Sequence, residues 1–117
     1  MLPKLRDVHV KNLRTNNYES LKEWISNPKH LYIGRRNIFV EGANQSKYHN
    51  PFPVKKYGIE ESIKSYYQLW KDKDVKELLE YEEIGCWCMD YEGVPTSINE
   101  CKCHGQVLLF ILSNQIK

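Results

Sequence analysis

The chain has 117 residues, 41% hydrophobic and 27% charged, with 17 Lys/Arg against 15 Asp/Glu for a net charge of +2. That balance excludes a collagen-like or disordered chain, and the longest apolar run, residues 107–112, is far short of the roughly 20 residues of a membrane span. One compact domain over residues 1–117 is expected, because two halves would each be too small to bury much surface.

In chain order, residues 8–13 alternate apolar and polar with β-branched side chains and predict a strand. Thr15, Asn16 and Asn17 supply turn chemistry. Tyr18, Leu21, Trp24 and Ile25 fall on one helical face, so residues 18–26 predict a short helix ended by Asn27-Pro28. Residues 31–35 read as a second strand, continued or turned back through 38–40, and residues 41–58, rich in Gly, Asn and Pro, as a long loop. Loops of that length inside a compact domain are uncommon and often functional.

Ile59, Ile63, Tyr66, Tyr67 and Trp70 then recur at a 3.6-residue period, with Glu60 and Glu61 in the first turn, which predicts a helix. Asp74 is placed to cap a second helix carrying Val75, Leu78 and Leu79. Residues 84–89 predict a strand, 90–100 a turn-rich insert, and 106–115 a buried helix opened by Cys103-His104-Gly105. Strands separated by helices define an α/β (or α+β) class, a single small domain with a small, mainly parallel sheet and flanking helices. The start of the chain has no apolar stretch, which predicts an intracellular, cytoplasmic protein with no membrane partner.

The net charge conceals an asymmetry. Residues 1–58 carry 11 Lys/Arg against 4 Asp/Glu, and residues 59–117 carry 6 Lys against 11 Asp/Glu. Arg14, Arg35 and Arg36 all lie in the basic part, beside predicted strand ends. An anion-binding face is one reading; a plain solvated surface is the other.

All four cysteines fall within 18 residues, as Cys86-Trp87-Cys88 and Cys101-Lys102-Cys103-His104. On a strand, residues two apart share a side, so Cys86 and Cys88 would offer both sulfurs to one face. Cys103 and His104 would meet them across the turn. Four readings stay open: a tetrahedral Zn site built from Cys86, Cys88, Cys103 and His104; a reactive Cys103 thiol at a helix start; a disulfide pair; and buried core cysteines.

Asn12-Leu13-Arg14, Tyr32-Ile33-Gly34-Arg35, Asn50-Pro51-Phe52, Tyr67 with Trp70, Gly85-Cys86-Trp87-Cys88 and Cys103-His104-Gly105 occur in that order. Together they resemble the family known as domain of unknown function 4326, short proteins of bacteria, phages and large DNA viruses. The resemblance implies site positions at Asn12, Arg14, Gly34, Arg35, Asn50, Pro51, Phe52, Cys86, Cys88, Cys103 and His104. The chain departs from the family pattern at His49 and Gln106, and in a longer segment between the cysteine motifs that contains Cys101.

Arginines at strand ends bind carboxylate or phosphate bidentately, Asn50 can read a ribose or base edge, and Phe52 or Trp87 can stack on a base. Gly105 would let a ligand approach a helix start. These residues predict a pocket for a nucleotide-like or other phosphorylated small ligand, with His104 and Cys103 as its candidate catalytic groups. Asn12, Arg14, Gly34, Arg35, Asn50, Phe52 and Gly105 would form its walls. Simpler structural roles stand beside these: Asn50-Pro51 also makes a turn, and Trp87 also suits a core. The alternative is a non-enzymatic, Zn-stabilised module contacting a protein or nucleic acid, although a net +2 argues against nucleic acid.

Overall fold

A computed structural model describes residues 1–117. Three short strands, β1 (Lys4–Asp7), β2 (His30–Tyr32) and β3 (Glu83–Cys86), form one parallel sheet in the order β1-β3-β2. The expected α/β class and small parallel sheet are therefore present. Central β3 pairs Leu5 with Ile84 on one side and Leu31 with Ile84 on the other. Just past β3, Tyr91 exchanges both backbone hydrogen bonds with Leu5, covering the outer edge of β1.

Helices α1 (Val10–Thr15) and α2 (Leu21–Ile25) connect β1 to β2, and α3 (Val54–Trp70) leads from β2 to β3. Helix α4 (His104–Gln115) ends the fold. Ser20 caps α2 by accepting the Glu23 N–H, which delays its start to Leu21. In α3, Gly58 has φ +78° and breaks the helix, so the regular part begins at Ile59 as the periodicity predicts.

The sheet separates two apolar clusters. On one side α4 is buried over almost its whole length, with Val107, Leu108 and Leu112 fully inside. It packs among Leu5, Ile33, Ile84 and Cys86, with Ile63, Tyr66 and Trp70 of α3 in the same cluster. On the other side Trp24 is fully buried among Val8, Leu13, Leu21, Tyr32 and Ala43. Alternation along β3 sends Ile84 and Cys86 to the α4 side, while Gly85 meets Trp24 and Val8.

Several boundaries differ from the sequence reading. The strand expected at 8–13 is helix α1, and the true first strand lies just before it at Lys4–Asp7. Of the apolar side chains in 8–13, Val8 and Leu13 are buried but Val10 is exposed, so the alternation marked no sheet face. Residues 38–40 form a turn with Ile38 and Phe39 exposed, not a strand. The helix expected after Asp74 is one 3-10 segment, Lys76–Glu80. No helix is long and apolar enough to cross a membrane.

Candidate functional site

The carboxyl ends of all three strands point to one edge of the sheet, as they must when every strand runs parallel. In open α/β folds this is where ligands bind. Onto this edge come the turn after β1, the Ile33-Gly34-Arg35 segment after β2, Trp87 and Cys88 after β3, and the first turn of α4.

The sulfurs of Cys86, Cys88 and Cys103 all lie within 4.8 Å of one another. Cys86 and Cys103 are buried and their sulfurs are 3.0 Å apart, whereas Cys88 is exposed. Cys103 is also the N-cap of α4, its sulfur accepting the Gly105 N–H at 3.4 Å. Gln106 reaches back to accept the Lys102 N–H at 2.7 Å, so its amide serves the helix start. Cys101 stands apart, its thiol directed to the Ser97 carbonyl at 3.7 Å.

The cluster concentrates negative charge on Cys88. Hydrogen bonding to Cys103 first, and to Cys86 second, pulls the Cys88 thiol down to about 3, and the nearby His104 and His9 act in the same direction. Cys103 is pushed well up by hydrogen bonding to Cys86 and then to Cys88. For Cys86 the contact with Cys103 lowers the value, but the bond to Cys88 together with burial outweighs it, and the thiol rises to about 12. One thiolate is thus held by two thiols.

His104 is buried, and its Nε2 donates to the Ile33 carbonyl at 2.8 Å. That assignment leaves Nδ1 unprotonated in the neutral ring, 4.0 Å from the Cys103 sulfur. Burial is the main reason its basicity falls, the Ile33 bond opposes the fall, and Arg35 and His49 contribute to it. A histidine that spends one nitrogen on a backbone carbonyl and turns the other toward a thiol resembles a metal ligand, but the three sulfurs that lie within 4.8 Å of one another form their group without it. Those sulfurs are close enough to hold one metal ion together, and thiolates are the ligands Zn takes at about 2.3 Å. The same burial leaves His104 poorly placed for acid/base exchange with solvent, the role the sequence suggested for it.

The remaining expected residues divide. Arg35 is exposed, its Nε donates to the Asn50 carbonyl at 2.9 Å, and with Arg36, Ile38, Phe39 and Trp87 it lines an open cleft of about 390 Å³. Gly34 is required by packing: a Cβ there would lie 2.5 Å from the Tyr32 hydroxyl, which accepts the Trp87 indole N–H at 2.7 Å. Gly105 is likewise packed tightly, directly against Leu5 and Ile33 on the α4 side of the sheet.

Asn50 adjoins the edge but uses its side chain internally, donating to Ser62 Oγ at 2.8 Å and accepting the Phe52 N–H at 2.9 Å. Phe52 packs edge-on against Tyr57 and onto the core cluster that contains Cys86 and Cys103. Asn12 donates to the Asp7 carbonyl at 2.8 Å and to Asp90 at 3.0 Å, bracing the turn after β1. Arg14 is exposed on α1 without an ion pair. A larger cleft of about 550 Å³ between α3 and residues 98–102 contains none of the predicted site residues.

Sequence reasoning passed over two participants. His49 lies close enough to affect His104, and His9 sits at the edge with its Nδ1 2.6 Å from Asp7 Oδ1. The Asp-x-His spacing was the available signal for the second; it was hidden by reading residues 8–13 as a strand.

Fold and site together define a small parallel α/β domain with a thiol–imidazole cluster at the carboxyl edge of its sheet. The chain belongs to the family described as Domain of unknown function (DUF4326), which matches residues 16–114. It is similar to an uncharacterised protein of Acanthamoeba polyphaga mimivirus, 36% identical over 84 residues. That alignment covers 68% of this chain and 63% of the viral protein, so it spans less than two thirds of the relative. No solved structure matches.

Proposed function

We propose that this domain binds a small phosphorylated, nucleotide-like ligand at the carboxyl edge of its sheet, beside a Zn ion held by Cys86, Cys88 and Cys103. His104 Nδ1 is the fourth donor in this reading. The observation that carries it is convergence: Arg35, Trp87, the α4 start and the three sulfurs come from three separate chain segments to one edge. Arg35 supplies a guanidinium for phosphate, and the Trp87 indole, half-buried beside it, supplies a stacking surface. Zn supplies a fixed positive charge and ties β3 to α4, through residues 17 positions apart.

A thermal-shift series with nucleoside mono-, di- and triphosphates tests the ligand. At 100 times Kd a ligand adds about 2.7 kcal/mol, which raises the melting temperature by on the order of 10 °C for a domain of this size. Arg35→Ala should abolish the shift and leave the unliganded melt unchanged. If no phosphorylated ligand shifts the melt, the pocket reading is wrong.

A second reading is a Zn-stabilised module that contacts a protein or nucleic acid and turns nothing over. The burial of Cys86 and Cys103 favours it, since a metal sealed in the core is typical of structural sites. Native mass spectrometry separates the two when combined with the melts: one Zn per chain with no ligand response supports the module alone.

A further inference from the structure

Asp7 and His9 stand at the same edge as the cysteines, and neither role proposed above uses them. Asp7 ends β1, and its Oδ1 accepts the backbone N–H of His9 at 3.0 Å while lying 2.6 Å from His9 Nδ1. The carboxylate therefore takes the Nδ1 proton and leaves Nε2 as the basic nitrogen of the neutral ring. The side chain of His9 is 57% exposed and that of Asp7 23%, so the orienting group is shielded and the imidazole is open.

The pair is held from both sides. Asp90 Oδ1 accepts the Asp7 N–H at 2.9 Å and the Asn12 amide at 3.0 Å, and Arg6 lies 3.4 Å from the other Asp90 oxygen. The His9 ring stands edge-on to Trp87 with centroids 4.9 Å apart. Trp87 is thus the shared neighbour of His9 and of the cleft that Arg35 lines. Of the histidines near this edge, His104 is buried with Nε2 already donated, His49 turns Nδ1 to the Ser46 carbonyl at 2.7 Å, and His9 alone combines an orienting carboxylate with an open nitrogen. Base, orienter and a neighbouring ligand surface are the arrangement that proton transfer requires.

We propose that His9, oriented by Asp7, is the proton-transfer residue for hydrolysis of a phosphate ester bound against Trp87. The proposal rests on the phosphorylated-ligand reading. A water molecule gives a proton to His9 Nε2 as its oxygen bonds to phosphorus. The bond from phosphorus to the ester oxygen breaks, and the proton passes from Nε2 to that leaving oxygen. Between the two transfers Asp7 stabilises the imidazolium, and the products are an alcohol and a phosphate, with no change of oxidation state.

The test compares the wild-type protein with His9→Gln and Asp7→Asn. Long-range proton–nitrogen NMR reads the His9 tautomer, calorimetry reads binding of nucleoside 5′-phosphates, and chromatography reads released nucleoside. The expected results are an Nδ1–H tautomer in the wild type and hydrolysis slowed ~100-fold in His9→Gln with Kd unchanged. Asp7→Asn should slow hydrolysis ~10-fold and shift the tautomer. His9 is exposed, so His9→Gln should melt with the wild type, and its rate remains interpretable even if Asp7→Asn fails to fold. Binding without hydrolysis, hydrolysis undiminished in His9→Gln, or an Nε2–H tautomer overturns the His9 proposal and leaves the ligand reading intact. Absence of binding overturns both.

Discussion

Arg6 on β1 and Glu83 on β3 form a two-point ion pair, with Nε to Oε1 at 3.0 Å and Nη2 to Oε2 at 3.1 Å. Each side chain is 16% exposed, and the buried Trp24 indole also donates to Glu83 Oε1 at 2.9 Å. The pair therefore joins the edge strand, the central strand and the α2 cluster on the side of the sheet opposite α4.

Glu83→Gln should weaken this junction and remove a pH dependence. Burial alone would raise the Glu83 carboxyl, but the hydrogen bonds from Arg6 and Trp24 overrule it and the value falls below the ordinary 4.5. A carboxyl held low in the folded state adds stability that is fully present above its unfolded value. That stability is lost as pH falls below about 4.5 and through the lower folded value. Urea midpoints measured at pH 6 and pH 3.5 should differ more for the wild type than for Glu83→Gln. At pH 6 the substitution should cost roughly 1–3 kcal/mol, since the Arg6 charge loses its partner; equal pH sensitivity of the two proteins would contradict the assignment.

The thiols should react unequally in metal-free protein. Cys88, exposed and pulled to about 3, is a thiolate across the whole neutral range. Cys101 is buried, and burial, helped by Glu100, pushes its thiol up to about 11. Only the thiolate is nucleophilic, so iodoacetamide at pH 6 should label Cys88 alone, at a rate that barely changes between pH 5 and pH 8. Peptide mapping by mass spectrometry reads the site; labelling that rises about tenfold per pH unit over that range would show an ordinary thiol.

Zn binding should follow the cluster and ignore Cys101. Cys101→Ser leaves Cys86, Cys88 and Cys103 within 4.8 Å of one another and should retain one Zn per chain. Cys103→Ser removes a sulfur donor while its hydroxyl can still cap α4, and should lose the metal. Replacing the metal by cobalt gives a second readout, the sulfur-to-cobalt charge-transfer absorption, which should drop in proportion to the number of sulfurs removed. Equal metal content in both variants would place the ion elsewhere.

The parts of the fold that could be read from the sequence are those whose signal is local. Ile63, Tyr66 and Trp70 face the core from α3 because a 3.6-residue repeat says so, and α4 is buried because it is apolar nearly all round. Lys4–Asp7 escaped detection because β1 is an edge strand of four residues, three of them charged, stabilised by pairing with Glu83 far along the chain. The cysteine cluster was half legible. Cys-x-Cys spacing brings Cys86 and Cys88 together, whereas the contact with Cys103 depends on how residues 90–102 return to the sheet. Arg35 and His104 likewise meet only through the parallel topology. The Asn50 amide, expected to face a ligand, instead fastens its loop to Ser62 at the start of α3, a long-range hydrogen bond that no composition signal announces.

Gly85 gives the sharpest steric test of the layer packing. With Glu83 it faces α2 from central β3, and a Cβ added there would stand 2.6 Å from Trp24 Cη2 and 2.6 Å from Val8 Cγ1. Neither neighbour has room to withdraw, because Trp24 and Val8 are both essentially fully buried. Overpacking of this kind costs about 1–3 kcal/mol, so Gly85→Ala should lower the unfolding free energy by that amount, read as an earlier chemical-denaturation midpoint. Gly93→Ala provides the contrast: nothing lies within 4 Å of its added Cβ, and its cost comes from φ +111° alone. Trimming the neighbour identifies the mechanism. Val8→Ala alone should destabilise by opening a cavity, yet in the Gly85→Ala background it should cost less or even restore stability. The two substitutions touch the same space and cannot be additive. Strict additivity in that double-mutant cycle would mean that Trp24 alone carries the clash, and Trp24→Phe would then be the substitution that relieves it.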